Sequence, residues 1–70
     1  MPVIHAHVWK GFGEEKSERV IREITRVFTG LGVPEEAVDV IVHEVPMTNW
    51  GIGGQPASKK FRERYEEGDG

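Results

Sequence analysis

Seventy residues with a formal net charge of −3 and a pI near 5.5 describe a single small acidic domain spanning residues 1–70, a size that buries only about 60% of the surface exposed by the unfolded chain. The absence of cysteine excludes disulfides and thiolate metal sites, two of the usual reinforcements of so small a core, and leaves self-association as the expected remedy. The acidic balance argues against nucleic acid as a partner. No apolar run approaches the roughly 18 residues of a membrane helix, and the N-terminus has neither half of a signal peptide, so a cytoplasmic protein without a membrane partner is expected.

Val3–Trp9 (VIHAHVW) alternates strictly, with Ile4, Ala6 and Val8 on one side and His5, His7 and Trp9 on the other. Period two with β-branched residues predicts a strand, which Gly11 and Gly13 end. Over residues 14–31 the period lengthens. Val20, Ile21, Ile24, Val27, Phe28 and Leu31 form one helical stripe, while Glu18, Arg19, Arg22, Glu23 and Arg26 take the other face. Glu14 and Glu15 suit the positive end of the helix dipole, and Gly32 followed by Pro34 supplies the stop signal. Residues 34–37 predict a further turn. Residues 38–45 (VDVIVHEV) read as a second strand, apolar enough to be buried on both faces.

Strand, long helix, strand is a βαβ unit with parallel strands and a right-handed crossover. Residues 51–54 (GIGG) mark the bend of a short hairpin. Beyond residue 60 the chain is a charged tail, in which Phe61 and Tyr65 at i, i+4 hint at a short helix. The predicted architecture is therefore α/β (α+β), one βαβ unit with a C-terminal hairpin. Its two-stranded sheet has an apolar face and open edges that call for other subunits.

Three groups could carry chemistry. His5 and His7 share a strand face, and His43 lies on the paired strand. H-x-H plus a third histidine has the composition of an open zinc site, although such residues more often satisfy hydrogen bonds at a subunit interface. Trp9 and Phe28 are expected in the core or an interface. Pro2 follows the initiator methionine, which is generally trimmed before a small residue. The exposed group would be a secondary amine with a direction fixed by its ring. An apolar pocket disfavours its ammonium form and leaves a neutral base. Met-Pro starts also arise by chance at about the ~5% frequency of proline, so Pro2 gains its weight from the surrounding pattern.

Pro2 heads a strand closed by Lys10-Gly11, a βαβ unit follows, and residues 49–58 read NWGIGGQPAS. Together these resemble the 4-oxalocrotonate tautomerase family over nearly the whole chain to about Lys60. The most specific piece is aromatic-GIGG-x-x-AS, matched by Trp50, Gly51, Ile52, Gly53, Gly54, Ala57 and Ser58, with Val40, Ile41 and Glu44 fitting the second strand. The resemblance implies sheets paired side by side in dimers, usually three dimers to a hexamer, and no metal or other cofactor. It implies an isomerase that moves a proton in an enol or unsaturated keto substrate. Pro2 would be the base and Trp50, with Ile52 close in sequence, the apolar wall. The main-chain N–H of Trp9 from a neighbouring subunit would help to hold the substrate.

Two positions depart from the pattern. Relatives acting on dicarboxylates carry arginine directly after the glycine that closes the first strand and again at the start of the second. Here these positions are Phe12 and Asp39. A guanidinium fork binds carboxylate bidentately and aspartate repels it, so a diacid substrate loses its anchors. One expectation is an apolar pocket for a mono-acid or neutral keto compound, with Phe12 in its wall and Lys10 or Arg19 as anchor. A second places Asp39 beside a protonated Pro2, which acts as an acid in hydration or dehalogenation while Asp39 orients water. Asp39 could equally pair with a helix arginine or be a solvated strand end. A non-catalytic oligomer that kept only the fold is the third alternative.

Overall fold

The computed structural model describes residues 1–61, and in it β1 (Val3–Trp9) and β2 (Asp39–Val45) pair in parallel, Val3 opposite Asp39 and Trp9 opposite Val45. Helix α1 (Glu14–Gly30) forms the crossover between them. The helix ends one residue before its apolar period does. Leu31 already donates back to the Phe28 carbonyl at 3.0 Å, and Gly32, at φ +96°, donates to that of Thr29. A 3₁₀ turn over Glu35–Ala37 leads into β2, and a second over Met47–Asn49 leaves it. The hairpin is β3 (Gly51–Ile52) against β4 (Gln55–Pro56). Its bend is Gly53-Gly54, with φ of +61° and +88°, the pair of positive values that a type I′ turn requires. The four-residue α2 (Ala57–Lys60) follows directly, and the Ala57 N–H returns to the Trp50 carbonyl at 2.6 Å. Tyr65 and the charged run after residue 61 lie outside the described residues.

The faces of the sheet differ. Ile4, Ala6, Val8, Val40 and Val42 are half-buried on the side that carries α1. Glu44 marks that side, because its Oε2 accepts the Gly13 N–H at 2.8 Å. Gly13 is the N-cap of α1, in a left-handed conformation at φ +95°, and it receives no side-chain cap of its own. A carboxylate from β2 thus holds a main-chain donor at the helix start, where negative charge is favoured.

Among the described residues the opposite face is covered only at its Trp9 end, by Trp50 and Phe61. Val3 is 51% and Ile41 40% exposed, and the second strand is therefore not buried on both faces within one chain, as its apolar run predicts. Part of the helix stripe is open as well, Leu31 being 73% exposed. Among the described residues only Ala57 is fully buried. Apolar area of this extent is left for a second copy to cover.

Two outcomes follow from this packing. The thermal midpoint should rise with protein concentration in dilution-series calorimetry, because assembly and folding are linked by mass action. In denaturant titrations at fixed concentration, Glu44→Ala should cost about 1–2 kcal/mol as the helix start loses a charge-assisted acceptor. Glu44→Gln, which keeps an acceptor, should cost less.

Candidate active site

Pro2 and Asp39 share one end of the strand pair. The Asp39 N–H donates to the Pro2 carbonyl at 3.0 Å. Pro2 is half-buried, and Met1 before it is 90% exposed. Asp39 leaves the sheet on the side of Val3, its partner in register, and among the described residues it pairs with no arginine. The ion pairs there join Glu23 to Arg22 and Arg26 along α1.

The aromatic residues gather at the other end. Trp9 meets Trp50 edge-on, with centroids 5.8 Å apart at 77°, and Phe61 at 5.5 Å. The Phe12 N–H donates to the Trp9 carbonyl at 3.2 Å, closing the turn after β1. These groups open onto a hollow of about 580 Å³ whose walls include Val8, Trp9, Lys10, Phe12, Lys16 and Trp50. Ile52 is half-buried in β3, outside the lining of the hollow. Arg19 stands on a neighbouring apolar hollow of about 420 Å³, which shares Phe12 and Lys16 as its wall.

The strand itself sets the separation of the two ends. Seven steps of about 3.3 Å put Trp9 roughly 23 Å from Pro2. One chain therefore carries the two halves of the expected site and cannot bring them together.

The ladder also fixes the direction of the Trp9 N–H. Pro2 accepts from Asp39 and Lys10 donates to Val45, so the even-numbered residues of β1 face β2 and the odd-numbered ones face outward. Among the described residues this sheet has only two strands, and the Trp9 N–H points to an edge left open there. The indole Nε1 of Trp9 is buried without an acceptor among the described residues.

The histidines lie on the uncovered face. His5 Nδ1 and His43 Nε2 are 2.8 Å apart, and the rings of His7 and His43 stack at 4.6 Å. In the His5–His43 contact one nitrogen donates and the other accepts. No group of three metal-ligating side chains converges among the described residues.

Two residues of this region escape a reading by type and spacing. Lys16 reaches Phe12 with its Nζ 5.7 Å from the ring centroid, and the signal was present as an i, i+4 pair spanning the turn. Glu44 acts on Gly13 across 31 residues, with no local signal at all.

A family model described as tautomerase enzyme matches residues 2–60. The 2-hydroxymuconate tautomerase of Pseudomonas putida is 40% identical over 63 residues, 89% of this chain and all of that protein. Among solved structures, TomN, a 4-oxalocrotonate tautomerase homologue in the tomaymycin biosynthetic pathway, superposes with a TM-score of 0.80 at 29% identity, covering 87% of this chain and 95% of its own. A heterohexamer 4-oxalocrotonate tautomerase from Chloroflexus aurantiacus gives 0.75 at 25% identity, covering 84% and 97%.

Proposed function

The chain belongs to the tautomerase enzyme family, and we propose that it is an isomerase moving a proton within a small enol or unsaturated keto acid, with the amine of Pro2 as general base. The observation that carries this reading is the division of the site. A half-buried proline lies at one end of β1, and an aromatic hollow beside an outward-facing main-chain N–H lies at the other.

In the proposed assembly Pro2 of one subunit meets the hollow of a neighbour. The free amine removes the enol proton, and the electron pair moves through the conjugated system to carbon. The resulting ammonium returns one proton to that carbon, so nothing is gained or lost overall. The Trp9 N–H donates to the oxygen on which charge develops. Trp50 and Phe12 exclude water, which keeps the amine neutral and strengthens that hydrogen bond.

Self-association is supported by the bare sheet face and the open β1 edge. A hexamer is the assembly we propose, since the similar Chloroflexus aurantiacus protein is described as a heterohexamer. With Phe12 and Asp39 in place of arginine, the proposed substrate is a monoacid rather than a diacid. The adjacency of Asp39 to Pro2 supports a second reading, in which a protonated Pro2 acts as an acid and Asp39 orients water. That the side chain of Asp39 leaves with Val3, on the face opposite to that of Pro2, favours the first.

Met1 must be absent for either mechanism, because an acylated proline nitrogen has no basic lone pair. Its exposure leaves the Met1–Pro2 bond open to an aminopeptidase. The intact mass of the purified protein should lack methionine, and Pro2→Ala should lower kcat for ketonisation of enol phenylpyruvate by about 10²–10³. Equal rates for the variant and the wild type would end the proline-base reading. Asp39→Asn should leave that rate within about twofold, whereas a residue that orients water would abolish hydration when changed. Inactive Pro2→Ala and Trp50→Ala chains, co-refolded, should recover about a quarter of the wild-type sites if each site draws on two subunits. Absence of recovery in mixed oligomers would place the site within one chain.

A further inference from the structure

The hollow between Trp50 and Phe12 joins apolar side chains, Val8, Trp9, Phe12 and Trp50, with His7 and two cations. Lys10 closes β1, and Lys16 rises from the first turn of α1. Glu14 and Glu15 lie beside Lys16 in sequence, yet neither they nor any other carboxylate pairs with Lys10 or Lys16 among the described residues. Both lysines are exposed, and a cation with no counter-charge at a hollow with aromatic walls is available to an anionic ligand.

The two lysines are not equivalent. Nζ of Lys16 stands 5.7 Å from the Phe12 centroid, within cation–π range. That contact holds the ammonium over one wall of the hollow, on a helix whose start is clamped by Glu44. Lys10 follows the last residue of the strand and has no comparable restraint.

From this we propose that Lys16 is the substrate-binding residue that anchors a single carboxylate in the hollow, and that the apolar body of the ligand lies against Trp50 and Phe12. The ligand class is a monocarboxylate with an aromatic or alkenyl body. The proposal rests on the hollow being the substrate site. It does not depend on Pro2 being the base, because it concerns binding alone. Phe12 then has two tasks, as a wall of the hollow and as the surface that positions the lysine. Arg19 serves the adjacent hollow and is not the anchor.

Binding can be read without turnover. The chain has two tryptophans, and both line the hollow, so their fluorescence reports occupancy. Wild type with mature Pro2, Lys16→Met, Lys16→Arg and Lys10→Met would each be titrated with trans-cinnamate and with cinnamamide, which differ by the carboxylate charge. Wild type should prefer cinnamate about threefold to fivefold, the upper range for an ion pair at an exposed lysine. Lys16→Met should bring the preference to within about twofold, and Lys16→Arg should keep it. Equal affinity of wild type for the two ligands would overturn the proposal. So would a preference that survives Lys16→Met, or one that disappears in Lys10→Met alone. Because Pro2→Ala should retain the cinnamate preference, loss of the proline-base reading and loss of the Lys16 anchor are separate results.

Discussion

The sheet has two strands and one covering helix, and the rest of the molecule depends on that shortage. A helix can bury one face of a strand pair. It cannot bury the other, and two strands leave both edges unpaired. The described residues therefore contain one fully buried side chain, far less than an independent core requires. In the proposed assembly a second copy supplies the missing layer, and folding, oligomerisation and construction of the site become one problem. The edges matter as much as the face. The outward main-chain groups of β1 that offer pairing to a neighbour include the Trp9 N–H, beside the hollow, so the device that joins subunits also points a donor at the site.

What the bare face presents bears on how it can be covered. Its apolar members, Val3, Ile41 and Val45, alternate with imidazoles. Dehydrating three histidines would be costly if each arrived unpaired. The His5–His43 hydrogen bond and the stack of His7 on His43 satisfy part of that demand inside the chain before any partner docks. A partner surface can then be largely apolar. Zinc would need the nitrogens to converge on one point, whereas here two of them are aimed at each other.

Residues whose role is set by near neighbours were the ones legible in the sequence. The change of period from Val3–Trp9 to the helix and the GIGG bend express local geometry, the parallel pairing follows from the strand–helix–strand order, and the structure contains each of them. The helix end moved by one residue because the Phe28 and Thr29 carbonyls capture the next two N–H groups. Burial of Ile41 was over-read, since an apolar residue shows that cover is needed without showing that the same chain provides it. Pro2, Trp50 and the substitutions Phe12 and Asp39 were recognisable because the family pattern names those positions. The separation of Pro2 from Trp50 emerged only with the strands laid in register. The Glu44–Gly13 bond joins residues 31 apart, and no periodicity encodes such a contact.

The charges at the two ends of β1 constrain orientation in the proposed assembly. Asp39 contributes a negative charge at the Pro2 end of the strand pair, with its side chain on the opposite face of the sheet. Lys10 and Lys16 contribute positive charges at the far end of the strand in the same chain, and in the proposed assembly a neighbour brings them to Pro2. A monoacid in such a site has one favourable direction, with its carboxylate toward the hollow of one subunit and away from Asp39 of the other. The reverse orientation sets like charges against each other and leaves the lysines unpaired. Replacement of arginine at both positions therefore does more than remove affinity. Phe12 presents a ring that can hold a lysine from the first turn of α1, and in the proposed site Asp39 sets the second end against negative charge. The ligand proposed for that combination is one with a single anionic end.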